Sequence, residues 1–245
     1  MRASISKAVH GAFMKPVGLL MATMLVACCI FPARAQAPTS AANAPVYVIG
    51  YLDVIVPAKA QAMALLKQFR RGCAREDGNL RCEAVQRMEQ QNEFAILEVW
   101  KDQKAYQAHV AGPGMLMRGR LKPLLASPYD ERVHTALSAQ APQPTPPGRV
   151  VYAIGHLDAN PAQTANAVDL LTRMTAAGRK DRGNSRLEAL QQLAPLSNHF
   201  TVVEIWGNKR LLEAHQAAPP TIRFRDRLQP ILDAPYDERL YKILD

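Results

Sequence analysis

The sequence is poor in the residues that carry most covalent and metal chemistry. Its 245 residues include only four cysteines, and two of these, Cys28 and Cys29, are adjacent near the N-terminus. No run of cysteine and histidine has the spacing of a zinc site. There is no glycine-rich phosphate loop, no dinucleotide fingerprint and no serine elbow, which excludes the common signatures of nucleotide binding and acyl transfer. Tryptophan occurs only twice. No apolar run is long enough for a membrane span in the mature chain. Acidic residues are missing altogether from the first 37 positions, where Arg2, Lys7, Lys15 and Arg34 flank an apolar stretch from Val17 to Phe31.

That N-terminal layout is the layout of a secretory signal peptide, with Ala35-Gln36-Ala37 as the small-x-small cleavage site. Residues 1–37 are therefore expected to be a signal peptide and 38–44 a polar leader, placing the mature chain in the periplasm or outside the cell. A lipoprotein box ending at Cys28 is the less favoured alternative. The excess of 30 basic over 21 acidic residues gives +9. Four of those basic residues leave with the signal peptide, and the remaining excess is scattered. Nucleic acid is not an expected partner, and the mild positive field favours anionic or phenolate ligands.

What the chain does contain, it contains twice. Val46-Tyr47-Val48-Ile49-Gly50-Tyr51-Leu52-Asp53 returns as Val151-Tyr152-Ala153-Ile154-Gly155-His156-Leu157-Asp158. Glu98-Val99-Trp100 returns as Glu204-Ile205-Trp206, His109 as His215, and Pro128-Tyr129-Asp130-Glu131-Arg132 as Pro235-Tyr236-Asp237-Glu238-Arg239. Residues 45–137 and 149–245 are thus two copies of one unit, joined by a proline-rich linker at 138–148 that cannot pack as a helix or strand. Each copy is near the lower end of domain size, so packing the two together is the expected way to complete a core.

Each copy reads as β-α-β-β-α-β, a ferredoxin-like split unit. The predicted strands of the first are 46–54, 80–88, 93–101 and 128–135. Pro57 opens a helix whose apolar face is Ala62, Leu66, Phe69 and Cys73. A second helix from Asp102 to about Val110 is broken by Gly112-Pro113-Gly114, with a further helical turn from Leu116 to Leu121. Period-two alternation puts Phe94, Ile96, Glu98 and Trp100 on one strand face and Ala95, Leu97 and Val99 on the other. A carboxylate in such an apolar row is costly unless paired or wet. Glu98 is therefore either an ion-pair partner of Arg81 or Arg87, or a ligand-facing group in a cavity, and Glu204 follows it. Tyr51 and His156 are equivalent positions that face either a cavity or the helices. Cys73 and Cys82, which vanish together as Gly178 and Leu187 in the second copy, are either a disulfide or two buried small side chains. Tyr129-Asp130-Glu131-Arg132 reads as a pairing strand between halves.

The element order, Glu-Val-Trp-Lys-Asp-x-x-x-Tyr-x-x-His from Glu98 to His109, and the closing Pro128-Tyr129 strand resemble the antibiotic biosynthesis monooxygenase superfamily, which includes quinol monooxygenases. The resemblance implies an α+β fold in which two ferredoxin-like repeats form a dimeric α/β barrel, here within one chain. A monomer, as an intrachain pseudo-dimer, is then expected. It also implies a monooxygenase that uses O₂ on a small quinol- or anthrone-like aromatic, with no metal or other cofactor, which the N-terminal layout would place outside the cytoplasm. The family's pocket residues carry over as Trp100, Tyr106 and Arg120, with His109 as a proton relay. Glu98, Tyr51, Trp206 and His156 are the candidate substrate-binding positions beside them. The family's asparagine four residues before the tryptophan is replaced by Ile96 and Val202. In the second copy Leu212 and Asp226 stand in for Tyr106 and Arg120, which suggests a working first half and a scaffolding second half. Haem breakdown, known among relatives of this barrel, is disfavoured by Gly119 at the position of the haem ligand. The alternative function is a non-catalytic exported binding or stress-response module.

Overall fold

The structure is a computed structural model that describes residues 43–142, 148 and 150–244. The expected signal peptide, Cys28, the Ala37 cleavage site and residues 143–147 of the proline-rich linker lie outside the described residues.

The first repeat consists of β1 (Val46–Asp53), α1 (Lys59–Cys73), β2 (Asn79–Arg87), β3 (Glu93–Trp100), α2 (Gln103–Ala111), α3 (Pro113–Leu121) and β4 (Asp130–Ser138). The second consists of β5 (Val151–Asp158), α4 (Thr164–Gly178), β6 (Asn184–Gln192), β7 (His199–Trp206), α5 (Lys209–Gln216), α6 (Pro219–Leu228) and β8 (Asp237–Ile243). Local chemistry explains the breaks. Asp102 caps α2 by accepting from the Ala105 N–H at 2.8 Å, and Asn208 caps α5 through Leu211 at 3.0 Å. Pro113 and Pro219 then open new helices, because a proline can start a helix but not continue one.

The eight strands close into one barrel in the order β1-β3-β2-β8-β5-β7-β6-β4. Two seams join the repeats: β2 with β8, through Val85↔Ile243 to Arg87↔Tyr241, and β4 with β6, through His134↔Gln192 to Ser138↔Ala189. The pseudo-dimer is therefore built inside one polypeptide by a continuous hydrogen-bonded sheet. The last strand of the repeat begins and ends later than expected. It uses residues 130–134 to pair with β1 of its own repeat and 134–138 to pair with β6 of the other. The cross-repeat seam thus lies beyond the Tyr129–Arg132 motif that the sequence suggested for it, and takes in Ser138 of the expected linker.

Alternation separates two environments. Tyr47, Ile49, Val85, Ala95, Leu97 and Val99 meet Tyr152, Ile154, Leu190, Val203 and Ile205 inside the barrel. Val46, Val48, Phe94, Ile96 and Trp100 face outward beneath α1–α3. The barrel interior also holds two charged pairs that cross between repeats. Arg81 donates to both Glu188 oxygens at 3.1 and 2.7 Å, and Arg186 to both Glu83 oxygens at 3.0 and 2.7 Å. All four side chains are buried.

In the first repeat Cys73 at the end of α1 is disulfide-bonded to Cys82 on β2, with Cα atoms 6.1 Å apart. In the second repeat the same space is filled differently. A Cβ on Gly178 would come within 2.6 Å of Leu187, so the small residue and the large one replace the bridge together. Glycine is required at a second pair of positions. A Cβ on Gly50 would lie 1.9 Å from the Tyr129 hydroxyl, and one on Gly155 2.0 Å from that of Tyr236. Gly50→Ala must push the tyrosine off the sheet, and should destabilise the protein by about 1–3 kcal/mol. A thermal melt checks this; an unchanged midpoint would show that Tyr129 is not held there.

Candidate active site

Beneath the helices of the first repeat, Glu98 and Trp100 project from β3. The Trp100 indole Nε1 donates to Glu98 Oε2 at 2.7 Å. His109, near the end of α2, stacks on the indole with ring centroids 4.6 Å apart. Its Nε2 lies 3.6 Å from Glu98 Oε2 and its Nδ1 2.9 Å from Glu76 Oε2, in the turn after α1. A polar chain Glu76–His109–Glu98–Trp100 therefore runs from the helix layer into the sheet. Glu98 pairs with neither arginine expected from the sequence. Arg81 is committed to Glu188 inside the barrel, and Arg87 donates to Glu93 at 2.6 Å. Burial pushes the Glu98 carboxyl up to about 7, against the opposing pull of His109 and the indole hydrogen bond.

A second cluster lies alongside. Tyr106 donates to Glu131 Oε1 at 2.6 Å and Arg118 to Glu131 Oε2 at 2.5 Å. The Arg118 guanidinium also sits 5.6 Å from the Tyr129 ring centre. Burial and the neighbouring carboxylate raise the Tyr106 phenol well above its usual value. Sequence reasoning missed Glu131. The signal was there in the twofold occurrence of the Tyr-Asp-Glu-Arg motif, whose glutamate faces the helices.

The second repeat reproduces this design more fully than expected. Trp206 donates to Glu204 at 2.7 Å, His215 stacks on Trp206 at 4.7 Å, and His215 Nδ1 lies 2.6 Å from Asp181. Burial raises Glu204 to about 7 as well. Helix α6 is one residue longer than α3, so Arg225 corresponds to Arg118 and Arg227 to Arg120. The proposed loss of the arginine to Asp226 is thus an alignment slip corrected by the structure. Arg225 contacts Glu238 at 3.3 Å, as Arg118 contacts Glu131. Leu212 does replace Tyr106, but Gln216 supplies the lost hydrogen bond to Glu238. The second half has lost one phenol, not its polar framework.

The predicted site residues do not share one cavity. Tyr51 and His156 point into the barrel interior, on the opposite face of the sheet from Trp100 and Trp206. Trp100 is fully buried, packed against Glu98 and His109. Arg120 is exposed on α3, donates to Gln68 at 3.2 Å, and helps line a cleft of about 290 Å³ between α1 and α3. Phe69, Cys73, Glu76 and Met117 also line it. Phe69 in turn touches His109, with ring centroids 5.7 Å apart. The cleft therefore joins Arg120 to the outer end of the Glu76–His109–Glu98–Trp100 chain. Arg118 and Tyr129 line a separate, more open cleft of about 480 Å³. The second repeat has its own α4–α6 cleft of about 260 Å³, lined by Met174, Asp181, His215, Phe224 and Arg227.

The two raised carboxyls predict a pH dependence of stability. Their folded values lie above the ordinary carboxylate value, so the native state holds the extra protons. The resulting stabilisation is complete below about pH 4.5 and lost as the pH rises through about 7. Each acid touches one of the two indoles, so tryptophan emission should titrate with a midpoint near 7. Glu98→Gln should remove about half of that change, and Glu98→Gln with Glu204→Gln nearly all of it. Emission flat between pH 5 and 8 in the wild type would contradict the assignment.

The family model "Antibiotic biosynthesis monooxygenase" matches residues 45–116. No curated protein matches the chain. Among solved structures, a candidate monooxygenase from Fusobacterium nucleatum superposes with a TM-score of 0.74 at 10% identity, over 82% of this chain and 93% of that one. A candidate monooxygenase from Lactobacillus acidophilus gives 0.68 at 10% identity, over 82% and 95%. An anthrone oxidase-like protein gives 0.64 at 13% identity, over 84% and 93%. At such identities the likeness is one of fold, and it extends across both repeats. The first repeat is thus similar in sequence to the antibiotic biosynthesis monooxygenase family over residues 45–116, and the second completes the same barrel within the chain.

Proposed function

We propose that this protein is an exported monooxygenase that oxidises a small acidic aromatic, of the quinol or anthrone type, with O₂ in the α1–α3 cleft of its first repeat. The observation that carries the reading is the pairing, at that cleft, of apolar walls with one guanidinium and one buried histidine–carboxylate chain. Phe69 and Met117 suit a flat ring, and the volume suits a substrate of one or two rings. Arg120 stabilises the phenolate or enolate. Glu76 and His109 take up the proton that leaves, with Glu98 as the inner member of the chain. The electron-rich anion reduces O₂ directly. With an anthrone, one oxygen atom replaces the two hydrogens of the reacting CH₂, which leave with the other oxygen as water. With a quinol, one oxygen replaces a ring hydrogen as a hydroxyl while the quinol is oxidised to the quinone, and the two electrons and two protons it gives up reduce the other oxygen to water. Trp100 positions His109 by stacking and does not line the cleft. Tyr106 holds Glu131 and Arg118 in the neighbouring cluster.

The test is oxygen uptake by the full chain with a panel of hydroquinones and anthrones. Turnover above the buffer rate is expected for at least one class. Binding without turnover would favour the second reading, a non-catalytic binding module. One observation supports that reading: Trp100 and Ile96 are packed with no exposure of the indole, where a family pocket would open.

A further inference from the structure

A cluster of metal-ligating side chains lies on the other face of the sheet, away from the proposed reaction and independent of it. His156 and Asp158 are two apart on β5 and share a face, and His199 on β7 is the direct register partner of Asp158. The three ligand atoms lie within 4.8 Å of one another. His156 Nε2 approaches Asp158 Oδ1 to 2.9 Å and His199 Nδ1 approaches it to 2.7 Å. Neither contact has hydrogen-bond geometry, so Oδ1 is buried without a donor. Three groups thus converge on a point where a positive partner is missing. The side chains keep 20%, 30% and 25% exposure for His156, Asp158 and His199, which leaves an entry path.

The first repeat shows what the duplicated unit does when no cation is needed. The equivalent residues are Tyr51, Asp53 and Glu93, and there Arg87 satisfies Glu93 at 2.6 Å. In the second repeat Gln192 takes the place of Arg87, a histidine takes the place of Glu93, and another takes the place of Tyr51. One resident guanidinium is lost and two imidazoles are gained around an unchanged aspartate. The remaining nearby cation, Arg132, is held by Asp130 at 3.0 and 2.7 Å and by the Tyr51 ring at 4.9 Å.

We infer that His156, Asp158 and His199 form a binding site for one borderline divalent transition ion of the Zn²⁺ class. Two imidazoles and one carboxylate are the ligand set such ions prefer, and three protein ligands leave a position open for water or a further ligand. The measurement is equilibrium dialysis of the untagged full chain with Zn²⁺, and Co²⁺ absorption as a second readout. One ion per chain with a micromolar or tighter Kd is expected, with Co²⁺ d–d bands and a melting midpoint raised by saturating Zn²⁺. The double variant His156→Tyr with His199→Glu installs what the first repeat already tolerates, and should lose one equivalent, the bands and the thermal shift. Asp158→Asn should weaken binding at least tenfold and serves if the double variant folds poorly. The inference is overturned if the wild type shows no saturable equivalent below millimolar Zn²⁺, or if the variants bind as the wild type does.

Discussion

Glu188→Gln should lower the unfolding free energy by about 3–5 kcal/mol, the largest stability effect expected of a single conservative change in this protein. The reason is the position of the pair. Arg81 and Glu188 meet inside the barrel with side chains 5% and 1% exposed, and they belong to different repeats. Removing the carboxylate charge leaves the Arg81 guanidinium in an apolar interior, with Glu83 only at 3.9 Å as its remaining acid. The cost is that of a stranded charge rather than of a lost contact. Replacing both partners, as in Arg81→Met with Glu188→Leu, should recover most of the loss or more, because two desolvated charges disappear together. Urea denaturation at pH 7 separates the two cases. Equal destabilisation by the single and double variants would mean that the pair contributes favourable energy beyond its own desolvation. The crossed pairs also bear on register. A slip of either seam by one residue would turn these charges to the other face of the sheet.

Arg120→Ala should lower kcat/KM by about 10- to 100-fold, and His109→Gln by about 100-fold, in the oxygen-uptake assay. Arg120 acts on the anion at the mouth of the cleft, so its loss should raise KM as well as lower kcat. His109 acts on the proton, so its loss should fall on kcat and flatten the pH profile. Arg118→Ala is the informative comparison. Arg118 lies two residues from Arg120 but is turned to Glu131 and the other cleft. If Arg118→Ala abolishes turnover while Arg120→Ala does not, the working cleft is the one at Tyr129 and the present assignment fails.

The fold was legible in the sequence because duplication writes each strand twice. The alternation of Phe94, Ile96, Glu98 and Trp100 against Ala95, Leu97 and Val99 placed β3 between two apolar layers, and the structure has those layers. The site was less legible for a physical reason. Period two says which residues share a face, but not which carboxylate meets which cation across the sheet. Arg81 is one residue from Cys82, the register partner of Glu98, so it faces inward and pairs across the barrel. The equivalence of Arg118 with Arg225 was hidden by the single residue by which α6 exceeds α3. The His156–Asp158–His199 cluster was invisible for the same reason as the interior charge pairs. Its members are 41 and 43 positions apart across the β5–β7 ladder, and only the register brings them together.

The reaction proposed for the first repeat's α1–α3 cleft is an oxygenation. It is tested most directly by turnover of the best quinol or anthrone substrate under ¹⁸O₂. One labelled atom in the product and one in water is the predicted result, with product formation slowed at least tenfold in Arg120→Ala. Unlabelled product, no uptake above buffer, or full-rate labelling by a variant carrying both Arg120→Ala and His109→Gln would contradict it.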